Sequence, residues 1–215
     1  MRFDDDFEIC SFIVIIMILT LEALKMNMKE AFDTFFEEMT NNYIRERGKP
    51  PYAYCDEASR PTGLFLMDTL DDRGYAQWKP RLQERPVSFN SVERALGFSI
   101  HPQIKAYFST YWFLPLEAKY YTEQEEIIFN IIGITPYSSL DTLLKDNFNF
   151  EGSHYLFDHN YFLLGSYCNV NGNDSYLVEV NNETGEVTAV DVQDKKSIKI
   201  ADSIEMLLKN MKGIW

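Results

Sequence analysis

His154 and His159 stand five residues apart with Asp158 between them, and Cys168 follows on the same stretch. Imidazole, carboxylate and thiolate are the donors of zinc sites and the partners in Cys/His nucleophilic pairs. The spacing speaks against both chemistries. On a strand an odd separation sends two side chains to opposite faces, so the histidines read as polar loop residues. Cys168 follows "YFLLGSY", an apolar strand in which a thiol is inert core filling. The stretch "NVNGNDSYLVEV", Asn169 to Val180, has the acidic and amide texture of a calcium loop. Its sixth position is Asp174 instead of Gly and its twelfth is Val180 instead of Glu, so it reads as a hairpin turn. No phosphate-cradling loop, dinucleotide fingerprint, nucleophile elbow or HExxH helix occurs. No catalytic residue, cofactor or metal is implied, and the expected work of the chain is binding.

The charge says what kind of binding. The formal net charge is −13, which is unsuited to nucleic acid, whose phosphates require Lys and Arg. An acidic protein favours basic partners or simply stays soluble. The three cysteines are widely spaced with no CxxC pair, a usage that fits a reducing cytoplasm. The sequons at Asn173 and Asn182 read as turn residues.

At 215 residues the chain has the length of one domain, able to bury a core without a disulfide or metal staple. Residues 1–27 form an extension. Within it, "ICSFIVIIMILTL" is shorter than the roughly 20 apolar residues a bilayer core demands. Its flank "MRFDDDFE" is acidic where a secretion signal would be positive. Apolar residues fill every face, so it is no amphipathic surface helix. Two readings stand: an added apolar element, or a start assigned too early. Without these residues the net charge is −10.

From Met28 to Arg47 the apolar residues Met28, Ala31, Phe32, Phe35, Phe36, Met39, Tyr43 and Ile44 keep to one helical face. Asn27 is the expected N-cap with Glu30 as its capping-box partner, and Gly48 with Pro50-Pro51 ends the helix. Leu64 to Met67 and Tyr75 to Trp78 read as short strands around an Asp71-to-Gly74 turn. Helices are expected over Ser91–Leu96, Gln103–Trp112, Ser138–Asn147 and Ala201–Lys212, the last burying Ile204, Leu207, Leu208 and Met211. "LEAKYY" and "EEIIFNII" read as paired strands. Further strands fall at Tyr155–Phe157, Tyr161–Cys168, Tyr176–Val180 and Val187–Asp191. Together these make an α+β domain over residues 28–215, a mainly antiparallel sheet with helices packed against it.

Three segments carry a family resemblance. "NSVERALGFSIHPQIKAYFSTYWF" resembles the helix–link–Pro–helix signature of the SUKH superfamily, and more closely that of the Syd family of SecY-interacting proteins. "YAQWKP" is similar to that family's YWxP segment, and "NNETGEVTAVDVQDKKSIKIADSIEMLLKNM" to its closing hairpin and last helix. The likeness runs in order over about residues 28–214. Gly97 lets the first helix stop, and Pro102 starts the second where its missing N–H is harmless. Leu96, Phe98 and Ile100 should bury from the link, and Ile104, Tyr107, Phe108 and Tyr111 from the second helix. Glu93 either pairs with Arg94 or Lys105, caps a backbone group, or is an exposed helix charge.

The resemblance implies a non-enzymatic cytoplasmic protein, peripheral on the cytoplasmic side of the bacterial inner membrane. It would dock on the SecY subunit of the protein translocase. Cytoplasmic loops of membrane proteins are rich in Lys and Arg, so an acidic face would complement them. The expected partner-binding residues are Asp68, Asp71, Asp72, Glu117, Glu123, Glu125 and Glu126, with Arg73 diluting the first cluster. Trp78 is the expected aromatic anchor, its alternative being a core strand residue. SUKH proteins also imply a second reading, an immunity protein that neutralises a basic bacterial toxin.

Overall fold

The computed structural model describes residues 3–85, 87–121, 126–136, 142, 144, 161–169, 175–191 and 196–214. The first element is one long helix, α1, Phe3–Arg47. It runs straight through Asn27, so the expected cap there does not form. No Gly or Pro interrupts residues 3–47, and a capping side chain serves only where the chain enters from non-helical backbone. The helix ends as expected at Gly48, whose N–H donates to the Ile44 carbonyl at 2.8 Å. Met28, Ala31, Phe32, Phe35, Phe36, Met39 and Tyr43 are buried, whereas Ile44 is exposed.

The buried stripe of α1 packs on α3, Pro102–Thr110. Phe32 lies 5.4 Å from the rings of Phe36, Tyr107 and Phe113. Aromatic pairs at such separations add to the area they bury. Behind this layer stands a seven-stranded antiparallel sheet. Its strands are β5 (Leu116–Tyr121), β6 (Glu126–Ile131), β7 (Tyr161–Asn169), β8 (Ser175–Asn181), β9 (Val187–Asp191), β10 (Ser197–Ala201) and β11 (Met211–Ile214). They lie in the order β10-β9-β8-β7-β6-β5-β11. One face carries Leu116, Ala118, Ile127, Phe129, Val178, Val180, Val187 and Ala189, all buried in the main core. The period-two alternation of these strands puts their polar residues on the other face.

The fold is therefore α+β, as expected. The last helix is shorter than its stripe: α4 spans Ile204–Asn210 and is capped by Ser203, which accepts from Met206 N–H at 3.1 Å. Its continuation turns into β11, which pairs with β5 and lies against α1. Gly213 permits this, since a Cβ there would come within 2.6 Å of the Met39 side chain. A short ribbon precedes the sheet. It joins β1 (Tyr52–Tyr54) to β2 (Tyr75–Gln77). Between them Leu64 to Met67 is not a strand: Phe65 bridges Trp78, and Met67–Thr69 is a 3-10 turn. The Thr69 hydroxyl bonds Leu66 O and receives Gln77 N–H, which favours the turn over an extended run. A second ribbon pairs β3 (Arg81–Leu82) with β4 (Tyr111–Trp112), so α3 ends at Thr110 and not at Trp112. The expected helix over Ser138–Asn147 lies outside the described residues except for Thr142 and Leu144, which are helical. The expected strand Tyr155–Phe157 lies outside them too.

The link between α2 (Asn90–Leu96) and α3 has a definite geometry. Gly97 takes φ 80° and donates to Glu93 O. The Glu93 carboxylate caps the link as well, accepting Ile100 N–H at 2.8 Å while holding Lys105 Nζ at 2.6 Å. Ile100 is buried, while Leu96 and Phe98 are half-buried against the core. The β8–β9 turn clasps the link from outside. The Asn182 amide accepts His101 N–H at 2.8 Å and donates to Ser99 O at 2.9 Å. Removing the Glu93 carboxylate leaves the Ile100 amide and the Lys105 ammonium without it. Glu93→Ala is expected to destabilise by about 1.5–3 kcal/mol. Urea titration checks this, and a loss under about 0.5 kcal/mol would mark an ordinary surface charge.

Candidate functional site: the acidic ribbon and the outer sheet face

The turn before β2 is built by one carboxylate. Asp71 Oδ1 accepts N–H groups from Arg73 and Tyr75, both at 2.9 Å. The Tyr75 amide is the main cause holding this carboxyl below the ordinary range, helped by the Tyr52 hydroxyl, the Arg73 amide and the Arg73 guanidinium. Arg73 Nε lies 3.8 Å from Asp71 Oδ2. Asp71 is thus occupied in shaping the turn. Asp68, on the 3-10 turn, and Asp72 are exposed.

Beside these acids the ribbon shows a tyrosine face. Ala53 and Ala76 are in register and turn toward the core; Tyr54 and Tyr75 are in register on the opposite side. Tyr54 is 61% and Tyr75 42% exposed. Their rings meet edge to face at 5.6 Å, and Tyr75 stacks on Tyr52 at 6.1 Å. Lys49 Nζ sits 4.1 Å from the Tyr52 ring centre. The Tyr-Ala-Tyr alternation of residues 52–54 is the sequence signal for this face.

Trp78 follows β2 but is only 2% exposed and bridges Phe65. It is a core residue, the alternative weighed for it, and presents no face to a partner. Glu117 is exposed on the outer face of β5, apart from the ribbon. Its surroundings are mixed in charge, since Lys119 and Lys212 are in register on the neighbouring pair. Glu126 opens β6 opposite Tyr121, and Glu123 and Glu125 lie outside the described residues. The structure therefore brings Asp68, Asp71 and Asp72 into one segment and leaves Glu117 on a separate sheet.

On the outer sheet face an open depression of about 540 Å³ is lined by residues including Asn130, Thr135, Leu163, Ser166 and Leu177, with no ionisable side chain among its described lining. Next to it Glu179 is 1% exposed. Its Oε1 and the Thr188 hydroxyl opposite have no hydrogen-bond partner among the described residues, and burial raises the Glu179 carboxyl to about 7. Among the described residues no group of His, Cys, Asp and Glu could hold a metal, and no helix is long and apolar enough to cross a membrane. His154, Asp158, His159 and Asp174 lie outside the described residues, as does the side chain of Cys168.

The family profile described as "Syd protein (SUKH-2)" matches residues 29–144. The chain belongs to the Syd family. Two relatives named Protein Syd match along most of their length. That of Shewanella pealeana is 21% identical over 84% of this chain and 80% of its own, and that of Shewanella frigidimarina 22% over 86% and 82%. Protein Syd of Alteromonas mediterranea is 40% identical over a local stretch, 24% of this chain and 29% of its own. The Syd profile begins within α1 at the first turn of its buried stripe. It takes in the ribbon, the α2–α3 pair and β5 and β6, so the acidic turn and the tyrosine face are both parts of the matched region.

Proposed function

We propose that the chain is a non-enzymatic docking protein that uses its ribbon acids to bind basic cytoplasmic loops of the SecY translocase subunit. It would act in the cytoplasm, associated peripherally with the inner membrane through that partner. The observation that carries the reading is the exposure of Asp68 just before, and Asp72 within, a turn that Asp71 fixes. Membership of the Syd family and the net charge of −13 support it. Carboxylates held on short, defined backbone complement Lys- and Arg-rich loops, and charge of this kind speeds association. The depression on the outer sheet face has no ionisable side chain among its described lining, which is compatible with a binding role.

Reversing Asp68, Asp72 and Glu117 to Lys, with Asp71 left in place, is expected to abolish capture of SecY from membrane extracts without unfolding the protein. Asp71 must be spared because its reversal would break the turn. Binding of the unaltered protein should weaken from low salt to physiological salt, where the screening length falls to about 8 Å. Unchanged capture by the folded triple variant would reduce these acids to a solvated surface. Capture of a basic toxin in place of SecY would move the protein to the immunity class.

A further inference from the structure

We propose that the exposed tyrosines of the ribbon, Tyr54 and Tyr75, form a platform that seats a cationic side chain, Arg before Lys, from a basic segment of a partner protein. The inference rests on the docking reading above and names how that surface would read its ligand.

The two rings are large, exposed and fixed. They are in register across two strands and touch edge to face. The Tyr54 ring also lies on the backbone of Gly74, where a Cβ would approach it to 2.9 Å. An exposed aromatic pair held this way gives a partner contact area with little side-chain entropy left to lose. Met67, 41% exposed, adds apolar area from the same ribbon segment. A guanidinium is drawn to the negative face of an aromatic ring and stacks on it, which an ammonium does less well. The ribbon already shows this chemistry within the molecule, with Lys49 over Tyr52.

Charge selects the occupant. Asp68 and Asp72 are exposed on the same ribbon segment, whose Asp71 carboxylate accepts the Tyr75 N–H, so a cation over Tyr75 would meet a carboxylate-rich turn. A second copy of this chain, at a net charge of −13, would be repelled. Arg73 is the one cation in the turn, 85% exposed and only loosely paired with Asp71. It opposes a basic ligand, so its removal should help.

The test is fluorescence anisotropy with the full chain and a labelled Arg/Gly peptide, beside counterparts carrying Lys or Glu in place of Arg. The unaltered protein should bind the Arg peptide most tightly, the Lys peptide less so and the Glu peptide not at all. Tyr54→Ala and Tyr75→Ala should each weaken the Arg peptide by about 3- to 10-fold, while the Phe variants keep it. Tyr54→Leu retains apolar cover without a π face and should lose binding as Ala does. Arg73→Ala should strengthen binding. Ala or Leu variants that bind like the unaltered protein overturn the platform and leave the acidic-face reading standing. Failure of the unaltered protein to bind the Arg peptide removes both. Equal binding of all three peptides, or self-association through this face, also overturns the proposal.

Discussion

Truncating Phe108 to Ala is expected to destabilise the protein by about 3–5 kcal/mol, the range for large aromatic side chains removed from a close-packed interior. Phe108 is 1% exposed on α3. Its ring meets Phe162 of β7 edge to face at 5.0 Å and Tyr107 at 5.3 Å. It therefore touches the sheet from the helix that α1 covers. The Phe108 carbonyl also accepts from the Gln83 side chain at 2.8 Å. A collapsed cavity would thus disturb the end of α3, where β4 begins. Relaxation is limited because helix and sheet converge on the same spot. Denaturant titration measures the effect, and a loss under about 1 kcal/mol would mean that the site collapses freely or that Phe108 lies outside the core.

Replacing Glu179 by Gln is expected to stabilise the protein at alkaline pH. The carboxyl is buried on β8, in register with Leu163 on β7 and Thr188 on β9. No cation faces it from those neighbours. Lys199, the next residue across the sheet, gives its ammonium to Glu186 and Asp202. Burial raises the carboxyl to about 7 from an ordinary 4.5. The native state thus holds a proton that the unfolded chain has released between those pH values. Its contribution to stability is complete below about pH 4.5 and disappears as pH rises to about 7 and beyond. The whole shift corresponds to about 3 kcal/mol. The Glu179→Gln side chain would keep the shape without the charge. The variant should therefore match the natural protein near pH 4 and exceed it by up to about 3 kcal/mol near pH 8. Stability curves for both proteins across that range decide it. A parallel pH dependence would show that Glu179 is solvated or paired in solution.

Several parts of this architecture are plain in the sequence because local chemistry and tertiary packing agree there. The stripe from Met28 to Tyr43, the stop at Gly48, the Gly97–Pro102 link and the strands β5 to β9 were all legible on periodicity and turn residues. Asn27 misled because a capping signature is silent when the preceding residues are themselves good helix formers. Ile44 misled because its periodic position falls beyond the end of the layer that α1 covers. Met211 is buried either way, and helical spacing could not tell that the chain leaves the helix there for a sheet partner more than ninety residues back, at Tyr120. The same limit applies to the ribbons, whose strands are two or three residues long. Acidic composition pointed to a class of partner, but it could not separate Asp71, consumed by its own turn, from Asp68 and Asp72. Nor could it show that Trp78 faces inward while Tyr54 and Tyr75 face out.

The placement of β11 bears on how the molecule is made. Until Met211 to Ile214 have left the ribosome, β5 is a sheet edge with open hydrogen-bonding groups, and the Met39 side chain of α1 lacks the strand that Gly213 brings onto it. Synthesis adds about 5–20 residues per second and folding of early segments begins before it ends. From the emergence of β5 until that of β11 the nascent chain therefore carries this edge uncovered, and such edges invite pairing with other chains. Strand β11, more than ninety residues further along the chain, is what covers that edge. A chain stalled just before Met211 would hold every other described strand of the sheet, with β5 still open to strangers.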